Sequence, residues 1–128
     1  MGLFMTSMLT ITPSPSQSNL KSIIGKCAVQ AVGVSATAIV SNAAASSTLV
    51  KVNALYVGNV DTSTSYKLTV DVYRSSTAYR TAYQVIIPPN AGLDVISKYI
   101  NLEEGDSLRL TADTASKLEA VASYEVIS

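Results

Sequence analysis

Histidine is absent from the 128-residue chain, and cysteine occurs once. The first absence removes the side chain most often used for proton transfer near neutral pH and the commonest metal ligand, so most catalytic and zinc chemistries lose their usual residues. Cys27 cannot form an internal disulfide, and its setting in "KCAVQAV" reads as a small buried residue rather than a reactive thiol, which points to intracellular folding. There is no glycine-rich phosphate loop, Cys/His metal spacing or dinucleotide fingerprint. A basic leader and an apolar run long enough for a membrane helix are missing too. Acids are lacking throughout residues 1–60, where Lys21, Lys26 and Lys51 give +3; the remainder holds six basic and nine acidic residues, or −3. Such a split would suit docking of the first half on an acidic neighbour. Three scattered lysines do not make the dense basic patch that nucleic acid binding requires. The expectation is therefore a non-enzymatic protein with no cofactor or metal, and with neither nucleic acid nor membrane as partner.

What remains is one domain's worth of chain, long enough to bury about two-thirds of the surface its unfolded form exposes. Residues 1–25 are Ser-rich and broken by Pro13 and Pro15, which favours an extended arm over packed structure. The arm is too apolar for an idle linker. Leu3, Phe4, Leu9, Ile11 and Ile23 are its expected contacts with the domain or a neighbouring chain. A short helix near Asn19 to Ile24 is the alternative for its last part. Gly2 and Thr6 also fit a myristoylation pattern, a short match that a partner-bound tail explains equally well.

From residue 26 to 128 the hydrophobic period becomes two, with turn residues at short intervals, which predicts an all-β domain. Cys27 to Val34, Thr37 to Asn42 and Thr48 to Asn59 read as strands. In "YKLTVDVYR", Leu68, Val70 and Val72 share one face, opposite Lys67, Thr69, Asp71 and Tyr73. "YRTAYQVII" would place Tyr79, Thr81, Tyr83, Val85 and Ile87 together and end at Pro88-Pro89. "LDVISKYINL" follows as one strand, and the last strand aligns Leu118, Ala120, Ala122, Tyr124 and Val126. About eight strands without an amphipathic helix predict a single β-sandwich, jelly-roll or immunoglobulin-like.

The three acids around Gly105 in "LEEGDSLRL" could suggest calcium, but their spacing is not that of an EF-hand loop, and a tight turn accounts for them. Ser18 and Lys21 spell S-x-x-K without the companion elements that an acylating serine needs. Carboxylate pairs could be assembled from Asp71, Asp94 or Glu119, as in any β-protein. Tyr73 is the tyrosine best placed for a surface contact.

Four runs, "TLVKVNALYVGNVD", "YKLTVDVYRS", "VIIPPNAGLDVI" and "INLEEGDSLRLTADTASKLEAVASYEVIS", together resemble small virion structural proteins of tailed bacteriophages, over roughly Thr48 to Ser128. The shared pattern is a strand ending in a V-x-N-x-D turn, a paired strand, a Pro-rich link and an L-x-x-GDSLRLTA turn. The resemblance implies a homo-oligomeric subunit of the virion, assembled in the host cytoplasm. A capsid decoration or cement protein on the major capsid protein is the leading expectation. A neck, tail or fibre-associated subunit, or a carbohydrate or host-surface binding module, are the alternatives.

Overall fold

The computed structural model of the chain describes residues 22–128, in which nine strands and no helix occur. They are β1 (Ile23–Ala31), β2 (Thr37–Ser41), β3 (Leu49–Asn59), β4 (Tyr66–Arg74), β5 (Thr77–Ile87), β6 (Gly92–Asp94), β7 (Ile100–Leu102), β8 (Ser107–Ala112) and β9 (Leu118–Ile127). The pairings nest. β4 pairs with β5, β3 with β6 and β7, β2 with β8 and β1 with β9, all antiparallel, as in one long hairpin rolled on itself. Rolling brings β3 against β9 and β4 against β8, closing two sheets of order β1-β9-β3-β6 and β2-β8-β4-β5, with β7 also on β3. This is the jelly-roll form of the β-sandwich, because an immunoglobulin sandwich distributes its strands differently.

Alternation along β3, β4, β8 and β9, with one extra residue at Asn53 that switches the parity of β3 between Val52 and Leu55, puts Val52, Leu55, Leu68, Val70, Leu108 and Leu118 into a common core at 0% exposure. Two further departures from simple alternation matter. In β5 the register shifts twice, with Val85 opposite Leu68, Ala82 opposite Val70 and Arg80 opposite Asp71. Each extra residue reverses the parity of those beyond it, so Ala82, Val85 and Ile87 face the core, Tyr79 lies on the Val72 side but stays exposed, and Thr81 and Tyr83 leave the expected face. The predicted single strand over "LDVISKYINL" is two short ones, since Asp94 accepts a hydrogen bond from Ile96 N (3.1 Å) and turns the chain between them.

The arm boundary also shifts. β1 begins at Ile23, so Ile23 and Ile24 are extended, ladder-paired residues rather than arm or helix. The β4–β5 turn places Ser75 and Ser76 at φ 52° and 61°, a two-residue hairpin turn of the primed type without the Asn-Gly that normally fills it.

Candidate interaction surface

The chemically interesting side chains are engaged in holding loops. Asp106, 1% exposed, accepts from Arg74 Nε (2.8 Å) and Nη2 (2.5 Å) and from Glu103 N (2.8 Å). The Arg74 guanidinium, opposed by burial and helped by the Glu103 amide, holds the Asp106 carboxyl below the usual carboxylate range, and the same pair raises Arg74. Glu103 completes this cluster at 3.3 Å from Arg74, while Glu104 accepts from Ser47 N (2.7 Å). Gly105, at φ +90°, makes the turn that the sequence predicts. The acids of "LEEGDSLRL" therefore tie the β7–β8 turn to β4 and to the β2–β3 loop.

Two buried asparagines do similar work at opposite ends of the sandwich. Asn42 donates to the carbonyls of Thr48 (2.8 Å) and Leu102 (3.0 Å), and its Oδ1 accepts from Ser46 and Thr48 hydroxyls. Asn59 donates to the carbonyls of Thr64 and Ile87, both at 2.9 Å. Asp61 beside it accepts from Ser63 N and the Tyr66 hydroxyl, which pull its pKa well down, and the bond to Asp61 raises that of Tyr66. Sequence reading passed over both asparagines; the signal was an Asn at the end of an apolar strand just before a Ser/Thr-rich loop.

On the outer face of the second sheet, Asp71 is buried against Arg109 Nε at 2.8 Å. Arg109 in turn stacks on Tyr73 at 3.8 Å from the ring centre, so the tyrosine expected as a surface contact is half-buried with one face covered. Tyr56, Tyr79, Tyr83 and Tyr99 are more exposed than Tyr73. Among the described residues no three His, Cys, Asp or Glu stand together as a metal site. No helix there is long and apolar enough to cross a membrane. An open trough of about 340 Å³ between β1 and β9 is lined by Val29, Gln30, Ala31, Glu119, Ala120 and Val121, a lining with one ionisable side chain and no nucleophile.

Apolar exposure concentrates on the first sheet. Val29 (76% exposed), Val121 and Tyr56 stand opposite one another on β1, β9 and β3, a continuous row across its outer face. At the start of β1, Ile23 is exposed on the same outer face, and Ile24 is exposed on the opposite one. Cys27, expected in the core, is exposed on the same strand: β1 is an edge strand, and its odd-numbered side chains lie on the outer face. Of the arm contacts expected from sequence, Ile23 lies here at 63% exposure; Leu3, Phe4, Leu9 and Ile11 lie outside the described residues, as do Gly2, Thr6, Ser18 and Lys21.

No protein-family model matches the chain. No curated protein matches it either. Among solved structures it is similar to a chain from Bacillus endospore appendages, which are described as forming a novel family of disulfide-linked pili. The two superpose with a TM-score of 0.53 at 9% identity, over 92% of this chain and 96% of that one. At that identity the likeness is one of fold.

Proposed function

We propose that this protein is a non-enzymatic structural subunit that self-associates within a larger particle, and that the particle is a tailed-phage virion whose capsid it decorates. The observation that carries the assembly reading is the apolar row across the outer face of the first sheet, where Val29, Val121 and Tyr56 are exposed side by side with Ile23 on the same face of β1, while Asp106 and Arg74 anchor a turn and Asp71 and Arg109 pair across the second sheet. Contiguous exposed apolar surface on a folded domain marks an interaction site. The endospore-appendage fold, in a protein that forms pili, supports the same class of role. The virion and the capsid position rest on the resemblance over Thr48 to Ser128, with the major capsid protein as partner.

Light scattering on the purified chain, with and without residues 1–21, tests this reading. Arm-dependent oligomers of threefold order are expected for a head decoration protein, whereas sixfold or twelvefold order would move the assignment to the neck or tail. An arm-independent monomer that also fails to bind capsids would overturn it, and glycan-array binding by that monomer would favour a host-surface module.

A further inference from the structure

A sandwich has four sheet edges, and three of them are blunted here. The edge opposite β1 consists of β6 and β7, three residues each; β2 is five residues with a register shift; β5 is interrupted by two. Short strands and bulges are the ordinary ways of preventing edge-to-edge pairing. β1 has neither. Its nine residues pair with β9 in unbroken register, it contains no proline and one charge, Lys26, and among the described residues nothing pairs with its outer edge.

The unused hydrogen-bonding groups can be named. Val32 N donates to Leu118 O (2.9 Å) and Ser22 O accepts from Ser128 N (3.0 Å), so the even-numbered residues aim their backbone groups at β9. Alternation then turns the N–H and C=O of Ile23, Gly25, Cys27, Val29 and Ala31 outward, five residues' worth of ladder with no partner strand. A strand laid there would gain main-chain hydrogen bonds and cover Ile23 and Val29 at its margin.

Residues 1–21 precede the described residues, and their sequence can be compared with what this edge would accept. Leu3 to Thr12, "LFMTSMLTIT", sets Leu3, Met5, Ser7, Leu9 and Ile11 against Phe4, Thr6, Met8, Thr10 and Thr12, four apolar residues of five on one side and two of five on the other, is uncharged and stops at Pro13. Its ten residues are enough to span the nine of β1. Between this segment and β1 lie residues 13–22. Ten residues including Pro13 and Pro15 exceed an ordinary hairpin loop of two to five residues and fall at the lower limit of the crossover, about 10–12 residues or more, that parallel pairing on its own β1 would need. An extended linker at about 3 Å per residue reaches roughly 30 Å, the width of a domain of this size.

We infer that the outer edge of β1 is an acceptor for strand addition, and that its occupant is Leu3 to Thr12 of a second copy of this chain. The inference rests on the self-associating role proposed above and assigns the contact through which association occurs. It is tested on the full chain by light scattering together with amide hydrogen exchange. The outward amides of Gly25, Cys27 and Val29 become protected as concentration rises and oligomers form. Val29→Pro removes one outward N–H and leaves every β1–β9 bond in place; Cys27→Lys puts a charge on the same edge. Each weakens association at least tenfold without changing the exchange of β3 or β9 core amides. Oligomers that persist unchanged in both variants would refute the edge as the contact while leaving the assembling role intact. Monomers at every concentration with outward amides unprotected refute both, and concentration-independent protection in a monomer shows the arm on its own strand and overturns the exchange between copies.

Discussion

Replacing Asp106 by Asn isolates the contribution of one buried charge. Asp106 is 1% exposed and carries three accepted hydrogen bonds, two from Arg74 and one from Glu103 N, and nothing replaces them when one oxygen becomes an NH₂ pointing at a cation or an amide donor. Breaking a fully buried ion pair costs about 3–5 kcal/mol. Arg74 is 47% exposed and can rehydrate, which reduces the expected loss to about 2 kcal/mol. With an unfolding entropy near 2.1 cal/mol/K per residue, this lowers Tm by about 9 °C for a domain of this size. Glu103→Gln is the control, because its carboxylate is 71% exposed at 3.3 Å from the same arginine and is worth about 0.5 kcal/mol or less. Thermal and urea unfolding followed by circular dichroism measures both. The Asp106 carboxyl is held below its unfolded value by Arg74, so its contribution is complete above about pH 4 and disappears as the pH falls through the folded pKa. The gap between the parent and Asp106→Asn therefore narrows on acidification. Equal stability of Asp106→Asn and Glu103→Gln at pH 7 would refute the reasoning.

Asn42→Ala strips partners from the Leu102 and Thr48 carbonyls and is expected to cost about 2–3 kcal/mol in urea unfolding, with an unchanged m-value. Ser76→Gly relieves a non-glycine residue held at φ 61° in the β4–β5 turn and should stabilise by about 0.5–1 kcal/mol, a rise of several degrees in Tm; a loss would mean that the Ser76 side chain makes a compensating contact. Cys27, exposed on β1, should react with a thiol reagent in the folded protein at a rate within about tenfold of a free thiol, as read by mass spectrometry. Modification only after unfolding would contradict its placement.

Period-two alternation in "YKLTVDVYR" and "KLEAVASYEVIS" was enough to orient β4 and β9, because neither strand's own sequence has to absorb a bulge between core layers. β5 was misread for the opposite reason. Its two register shifts are set by pairing with β4 and leave no local mark beyond a Gln84 at φ 52°. The Ser75-Ser76 turn lacked a glycine or asparagine to announce it. Cys27 was expected in the core because alanine and valine surround it, yet those neighbours lie on an edge strand whose apolar side chains are themselves exposed. Edge position is a property of the whole topology, and a nine-residue window does not contain it. The same limit hid the acceptor edge, since β1 is open only in relation to where β9, β3 and β2 stand. Asp106 could be read as a turn residue from its place after Gly105; its burial against Arg74 needed a contact thirty-two positions away.

The geometry of the β1 edge constrains what kind of assembly it can build. Each copy has one acceptor edge and one donor segment, joined at Ile23, so the contact is between unlike surfaces. Unlike surfaces leave a free donor and a free acceptor at the ends of any open chain, and these are removed when two copies exchange arms reciprocally or when a rotation between neighbours closes a ring. The bulged β5 edge and the short β2, β6 and β7 edges supply no competing ladder, which confines strand addition to one place and keeps the stoichiometry at one arm per edge. The apolar row of Val29, Val121 and Tyr56 lies on the sheet face beside that edge, so the neighbour that lends its arm is brought within reach of it. Strand pairing then sets the register between copies, and burial of the adjacent face adds affinity in proportion to its area, at about 25 cal/mol per Å². The division explains why the Leu3 to Thr12 segment can be uncharged while the row on the sheet stays small.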